Sequence, residues 1–434
     1  MSAASAVARP RLDPASFPSM GPGQLRPGRD NDAIDGLVPQ AVITARETAH
    51  VVATIEEARA KKLAVVPSGG GTLLHVGAVP RAYDIRLSMT AIGNIVEENP
   101  EDMTVTCQAG VSLSRLQRSL AKQGQRLAID AAREDRASIG GIVAANATGG
   151  LRHGFGLPRD LVLGATAIDG CGREIVAGGR VVKNVAGYDL VRLFAGSWGG
   201  LAILTELTLR THPLPAAAAT LVFEFVSASE LDAARSRLAG AQLSLSAIDF
   251  TVDTTEAMPL WILVVRIEGT EEEVGWQGDA VCALVGRQPA DAAEEWESPA
   301  HVDDGHGTSV RVAAAPQDIV GVVRDVCAKW KQSAASQGGQ AAIRIAGHLG
   351  AGIARFHLAG AEAGEADTAS AALITATAVG GLVRGRVIER APAQLKALYD
   401  VWGPPPASIG LMRAIKRRFD PDDVLSPGRY VGGL

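Results

Sequence analysis

Glycine is concentrated in three separated stretches of this chain, each beside a strand or helix signal. The first is Ser68-Gly69-Gly70-Gly71-Thr72, with Gly77 a few residues on, directly after a short strand expected at 64–66. Successive residues without a Cβ let their backbone N–H groups converge on one anion, so a diphosphate can be held without any lysine. A flexible surface turn would have the same composition, and neither the GxGxxG-helix nor the GKS-type phosphate loop fits the spacing. The second stretch is Ala137-Ser138-Ile139-Gly140-Gly141-Ile142-Val143-Ala144-Ala145-Asn146-Ala147-Thr148-Gly149. Its small residues permit a helix start and its loop to lie against a flat ring or a diphosphate, with backbone amides and the Ser138 hydroxyl as donors. Close helix packing would require the same small residues. The third combines Lys183-Asn184-Val185-Ala186-Gly187-Tyr188-Asp189-Leu190 with Phe194-Ala195-Gly196-Ser197-Trp198-Gly199-Gly200-Leu201-Ala202-Ile203. Backbone groups near Gly200 and Ile203 can bracket a heterocycle there while Leu190 and Leu193 fill core. Tyr188 and Asp189 fit a surface cap pair equally well.

At 434 residues the chain exceeds what one hydrophobic core normally supports, so two or more domains are expected. Its 47% hydrophobic and 21% charged residues are those of an ordinary globular protein, and a net charge of -5 supplies no basic field for nucleic acid. Cys107, Cys171, Cys282 and Cys327 lie far apart and form no CxxC pair. Neither a self-contained iron–sulfur site nor a structural zinc site is indicated, so any cluster belongs to another chain. Sparse, unpaired cysteine use also fits a reducing cytoplasm. The first 35 or so residues are rich in Pro, Gly, Arg and Ala without a continuous apolar run, which predicts a mobile extension over 1–38 rather than a secretory signal. No run of about 18 apolar residues predicts a membrane span, so membrane association would be peripheral and borrowed from partners.

Along the chain, the pattern predicts a helix over 47–61 with Val51, Ile55 and Ala58 on one face, and strands at 95–97 and 103–107 joined through Asn99-Pro100. It further predicts a helix N-capped by Ser112, a hairpin over 162–176 and a strand over 202–209 with strict alternation. After Pro213 and Pro215 the texture becomes strands of about 6 residues alternating with longer helices. Strands are expected at 221–225, 261–267, 342–345 and 353–358. Helices are expected near 227–238, from 271, near 317–331 and around 366–378. A basic helix from 410 should end at Phe419-Asp420-Pro421 before the turn Ser426-Pro427-Gly428.

These three glycine-rich segments, in this order, resemble the FAD-binding domain of the vanillyl-alcohol oxidase and D-lactate dehydrogenase group. The likeness covers roughly 41–215 and returns at 416–429, where FDPDDVLSPGR is similar to the family's terminal signature, with Ser426 where Asn is usual. The resemblance implies an α+β fold: a two-part PCMH-type FAD-binding domain over 39–215, an α+β cap domain over 216–400, and a C-terminal segment, 401–434, returning to the FAD-binding domain. It implies that the first loop and the Ser138-Ile139-Gly140-Gly141 segment grip the FAD diphosphate, with Ala137, Ala145 and Gly149 alongside, and that 200–203 lies near the adenine and flavin. Relatives that attach flavin covalently use a histidine in the first glycine loop, where this chain has Gly71. Non-covalent FAD is therefore expected, although His75 is close by. Within the group the short build resembles the FAD-binding E subunit of bacterial glycolate oxidase. That likeness implies a cytoplasmic complex with a catalytic flavoprotein subunit and an iron–sulfur subunit, acting on a small 2-hydroxy acid.

Catalytic relatives carry His-x-Gly-Asp-Gly-Asn-x-His in the cap. Here the corresponding run is His348-Leu349-Gly350-Ala351-Gly352-Ile353-Ala354-Arg355, so Ala351, Ile353 and Arg355 stand at the acidic, amide and second histidine positions. Oxidation of a 2-hydroxy acid needs a base for the hydroxyl proton and a cation for the carboxylate. Ala and Ile supply neither, which leaves His348 and Arg355 as the catalytic candidates, with Arg152 and His153 near the flavin segment and Arg384 or Arg386 as further possible carboxylate clamps. A packed histidine and solvated salt bridges would explain the same residues. On this reading the subunit binds FAD and leaves efficient glycolate oxidation to a partner; the alternatives are a self-sufficient FAD-dependent 2-hydroxy-acid dehydrogenase that uses a different base, and a scaffold subunit whose glycine loops no longer hold flavin.

Overall fold

The computed structural model describes residues 12, 17, 20–21, 23–147, 149–179, 188–254, 259–293, 306–336, 342–359, 365–378 and 381–434. The segments 183–187 and Thr148, which belong to two of the glycine-rich stretches, lie outside the described residues.

Two sheets make up the first half. A four-stranded sheet runs in the order Leu25–Pro27, Ala41–Thr44, Ile85–Ser88, Val65–Ser68, with the last three strands parallel and the first antiparallel. The helix Thr48–Lys61 buries Val51, Ile55 and Ala58 against it, as the sequence spacing predicts. A five-stranded antiparallel sheet follows in the order Ile95–Asn99, Thr104–Gln108, Ala202–Arg210, Val162–Asp169, Glu174–Gly178. The helices Leu113–Ala121 and Ile139–Ala145 each begin on a serine, Ser112 and Ser138, whose hydroxyl accepts from the N–H three residues on. Such caps satisfy amides that the first helical turn leaves unpaired.

Described residues within the expected 1–38 extension are built into the fold. Leu25–Pro27 pairs antiparallel with Ala41–Thr44, and Arg26 makes a two-pronged contact with Asp32 at 2.6 and 2.8 Å. That contact, reinforced by the Arg29 backbone and Arg86, holds the Asp32 carboxyl down at about 2. A Pro- and Gly-rich composition suggested mobility because it carries few apolar side chains, but pairing with a sheet edge requires only backbone and one ion pair onto the buried Asp32 carboxylate.

The second half is one eight-stranded antiparallel sheet in the order Asp291–Ala293, Ala217–Phe225, Leu260–Gly269, Leu245–Asp253, Ile343–His348, Ile353–Leu358, Thr308–Ala314, Val383–Arg390. Helices Ala228–Ala239, Glu271–Val285, Ile319–Ser336 and Glu365–Ala376 pack onto it around a core that includes Phe223, Phe250, Val310, Ile345 and Phe356. The strand expected at 342–345 extends to His348, and Leu245–Asp253, Thr308–Ala314 and Val383–Arg390 are additional strands. The short helix Arg152–Phe155 from the first half packs on Leu245–Asp253, close enough that a Cβ on Gly154 would meet the Ser246 backbone at 3.1 Å.

The C-terminal segment returns to the first half. Val65 donates its N–H to the Val424 carbonyl and Ser426 donates to the Val65 carbonyl, so residues 424–426 line up beside Val65–Ser68. The Asp-Pro-Asp-Asp run fixes this return in place. Buried Asp420 accepts from the backbone N–H of Val424 and Leu425, while Lys416 Nζ donates to Asp420 and to the carbonyls of Gly200 and Leu425. Among the described residues no helix is long and apolar enough to cross a membrane.

Candidate active site

A cleft open to solvent lies between the end of Val65–Ser68, the start of Ile139–Ala145, the approach to Ala202–Arg210 and the C-terminal segment. Ser68, Gly69, Gly70, Gly71, Thr72, Ser138, Gly140, Gly141, Ala145 and Ile203 all line it, so the first two glycine-rich stretches and the end of the third converge on one space. The reason for glycine is steric. A Cβ on Gly69 would sit 1.8 Å from the Ser138 hydroxyl oxygen, and one on Gly70 would sit 1.7 Å from the Arg136 carbonyl oxygen. Gly71 and Gly199 adopt φ of 76° and 69°, where a side chain is strained. The two segments therefore pack where a Cβ would not fit, and both line the cleft, a composition that leaves backbone amides free to meet a diphosphate.

Four predicted residues act from outside the cleft lining. Gly77 backs onto Arg429, Ala137 is packed in the core, Gly149 donates its N–H to Asp130 at 3.0 Å, and the Gly200 carbonyl accepts from Lys416 at 2.8 Å. The core role assigned to Leu190 and Leu193 is carried mainly by Val191 and Phe194, because Asp189 caps the helix Leu190–Phe194 and sets its rotation. Tyr188 is exposed beside that cap. Trp198, Trp402 and Arg429 also line the cleft, and no residue-type pattern had singled them out. Trp198 and Arg429 sat inside stretches already marked, whereas Trp402 gave no signal.

Where the two halves meet, side-chain alternation along the eight-stranded sheet builds a second feature. Asp249 stands opposite His348 on adjacent strands, Ala346 opposite Arg355, and Arg355 opposite Arg311. These residues share a face, and so does Glu389, two residues along from the Val387 that pairs with Arg311. Intervening Phe250, Ile345, Phe356, Val310 and Ile388 point into the core. One face of one sheet thus gathers a histidine, two carboxylates and two guanidinium groups.

His348 Nδ1 lies 2.9 Å from Asp249 Oδ1, both fully buried, and its Nε2 lies 3.5 Å from Arg355 Nη1. With Nδ1–H donated to the carboxylate, Nε2 carries the lone pair. Arg355 and Arg311 both bind Glu389, at 3.1 and 2.8 Å. Burial alone would push the Glu389 carboxyl up, but Arg355 and Arg311 outweigh it and hold the carboxyl below its ordinary value. His75 adds to that effect, so the residue between cleft-lining Leu74 and Val76 lies near Glu389 and links cleft and cluster. The Arg152 guanidinium, at the start of its short helix, has no hydrogen bond or ion pair among the described residues, and burial followed by neighbouring Arg311, Arg355 and Arg159 lowers its pKa. Asp130 completes the cluster. It accepts from Gly149 and Leu151, yet burial, with Asp249 adding to it, pushes its carboxyl up to about 6. Gly350 permits the approach of His153, whose Nδ1 would lie 2.1 Å from a Cβ there. Ala351 falls in the turn and Ile353 is buried in its strand, so neither reaches the cluster. Arg386 donates to the Ile374 carbonyl instead.

Residues 39–178 match the family model described as an FAD binding domain. The chain is 26% identical to a D-lactate dehydrogenase of Anaerostipes hadrus over 439 aligned residues, covering 92% of this chain and 91% of that protein. It is 33% identical to glycolate oxidase subunit GlcE of Escherichia coli over 223 residues, 51% of this chain and 60% of that protein. Among solved structures, an alkyldihydroxyacetonephosphate synthase superimposes with a TM-score of 0.71 at 16% identity, covering 97% of this chain and 86% of the other. Fold and cleft define an FAD-dependent oxidoreductase. Over most of its length the chain is similar to proteins named as D-lactate dehydrogenase and FAD-linked oxidoreductase.

Proposed function

We propose that this chain oxidises a small 2-hydroxy acid at its own FAD, with the charged cluster of the eight-stranded sheet as the substrate site. The observation that carries this reading is Arg152: a half-buried guanidinium without a partner among the described residues, beside Arg311 and Arg355, in a cluster where those two already share Glu389. Arg311 and Arg355 already share Glu389, so the Arg152 guanidinium is left for a substrate carboxylate to pair through charge-assisted hydrogen bonds. His348 supplies the base. Its tautomer is fixed by Asp249, so Nε2 can take the hydroxyl proton while the C–H bond breaks. Bound FAD supplies the acceptor for the hydride. Full-length similarity to a protein named as a D-lactate dehydrogenase supports the same substrate class.

FAD is bound without a covalent link on this reading. Gly71 lines the cleft at the corresponding loop position, and His75 is close to Glu389 and is not part of the cleft lining. Within the cleft, Ser68, Gly69, Gly70, Gly71, Thr72, Ser138, Gly140 and Gly141 would present amides and hydroxyls to the diphosphate, with Ala145 and Ile203 against the rings. The test is anaerobic mixing of the purified chain with D-lactate, glycolate or D-2-hydroxyglutarate. Bleaching of the flavin absorbance is expected with at least one of them, and no bleaching with any 2-hydroxy acid, at full FAD occupancy, refutes the reading.

A second reading is favoured by the higher identity to a glycolate oxidase subunit and by the altered His348–Arg355 run. Here the chain is an FAD-bearing subunit of a glycolate-oxidising assembly, with a catalytic flavoprotein subunit and an iron–sulfur subunit that passes electrons onward. Flavin in the isolated chain would then stay oxidised under glycolate and bleach only after addition of those partners.

A further inference from the structure

Among the described residues, Arg429 is the one charged side chain lining the FAD cleft. It is 9% exposed, and burial lowers its pKa. Its Nη2 donates to the carbonyls of Leu74 and Val76 at 2.6 and 2.7 Å, Nε is buried with no partner, and Nη1 has none among the described residues. No carboxylate of the described residues forms an ion pair with it. The nearest acidic influence is Asp35, but Asp35 is itself bound to Lys396 Nζ at 2.7 Å, and Lys396 also donates to the His75 carbonyl. Two buried cations therefore share one carboxylate, and Arg429 is the one left over. A buried charge without a counterion is costly, and removal of solvent from a guanidinium is offset only when an anion and good hydrogen bonds replace the water.

We propose that Arg429 is a cofactor-binding residue whose counterion is the diphosphate of FAD. Its guanidinium stakes the descending limb of the glycine loop through the Leu74 and Val76 carbonyls, and Arg429 lines the same cleft as Gly69, Gly70 and Gly71. The glycine loop supplies amide dipoles and Arg429 the full charge, so a dianion is favoured over a neutral ligand of the same shape. The Trp402 indole N–H, 2.8 Å from the Arg429 carbonyl, anchors the residue from the other side.

This inference rests on FAD occupying the cleft. Apoprotein is titrated with FAD, following flavin and tryptophan fluorescence, in wild type, Arg429→Gln and Arg429→Lys. Gln keeps donors for the loop carbonyls and removes the charge. Its Kd is expected to rise about 10- to 100-fold, the range for losing a charged hydrogen bond, with Lys intermediate. An Arg429→Gln protein that folds and binds FAD within twofold of wild type overturns the proposal while leaving the cofactor assignment intact; a wild type that binds no FAD overturns both. If neither variant folds, wild-type apoprotein is melted with inorganic pyrophosphate against sodium chloride of equal ionic strength. A higher Tm with pyrophosphate supports the anion site, and equal Tm values overturn it.

Discussion

The cofactor cleft and the charged cluster are built on opposite principles. Around the cleft, side chains are removed so that backbone can approach backbone, and apart from Arg429 the described lining is uncharged. On the eight-stranded sheet, side chains do the work: Asp249, His348, Arg355, Arg311 and Glu389 come from five different strands, and backbone only sets their spacing. A diphosphate is held by many weak dipoles that any small residues can expose, whereas a proton transfer needs one particular imidazole in one tautomer. Change in the first region should therefore reduce occupancy, and change in the second should reduce turnover at full occupancy.

The hardest test of that separation is His348→Ala. Its kcat should fall by about 10²- to 10⁴-fold with FAD content unchanged, measured by flavin absorbance per protein and by steady-state turnover. Loss of flavin in this variant would break the distinction. From the other side, Gly70→Ala places a Cβ against the Arg136 carbonyl and must spread the two segments, a change of about 1–3 kcal/mol. The expected result is roughly 5- to 150-fold weaker FAD binding in a fluorescence titration, with turnover per bound flavin close to wild type.

Arg152→Met sharpens the comparison within the cluster. Removing a cation that meets only the substrate should raise KM about 10-fold or more with little change in Tm, because no internal contact is lost. A folding defect with unchanged KM would instead make Arg152 structural.

The smallest effect concerns Asp130, whose folded-state carboxyl is pushed up to about 6 from an ordinary 3.8. Between these values the folded protein holds a proton that the unfolded chain has released, so the penalty for burying the charge is complete above about pH 6 and relieved as pH falls toward 4. Asp130→Asn keeps an acceptor for the Gly149 and Leu151 amides and removes the charge. It should stabilise by about 1–3 kcal/mol at pH 8, with the gain disappearing near pH 4 in thermal melts.

The cleft was legible in the sequence because its cause is local. Runs such as Ser68-Gly69-Gly70-Gly71-Thr72 say directly that backbone must be exposed, and Ser138 ahead of Ile139-Gly140-Gly141 announces a capped helix start. The cluster was only half legible. His348 and Arg355 could be found from a motif, yet Asp249 and Arg311 look like single charged residues in alternating strands. Glu389 lies in a strand that periodicity did not mark, since Val383–Arg390 is crowded with arginines and reads as surface.

Sequence by itself determined the class of ligand, because glycine spacing and helix capping act over a few residues and need no distant partner. It also determined the strand alternation that puts Phe250, Phe356 and Ile388 inside. Tertiary structure alone decided which polar residues on the opposite face became neighbours. Register pairs Asp249 with His348 and Arg311 with Arg355 across gaps of 99 and 44 residues, and chain return sets Arg429 beside Leu74 and Val76. Charges act through distances of a few ångströms, and those distances exist only once the strands have paired.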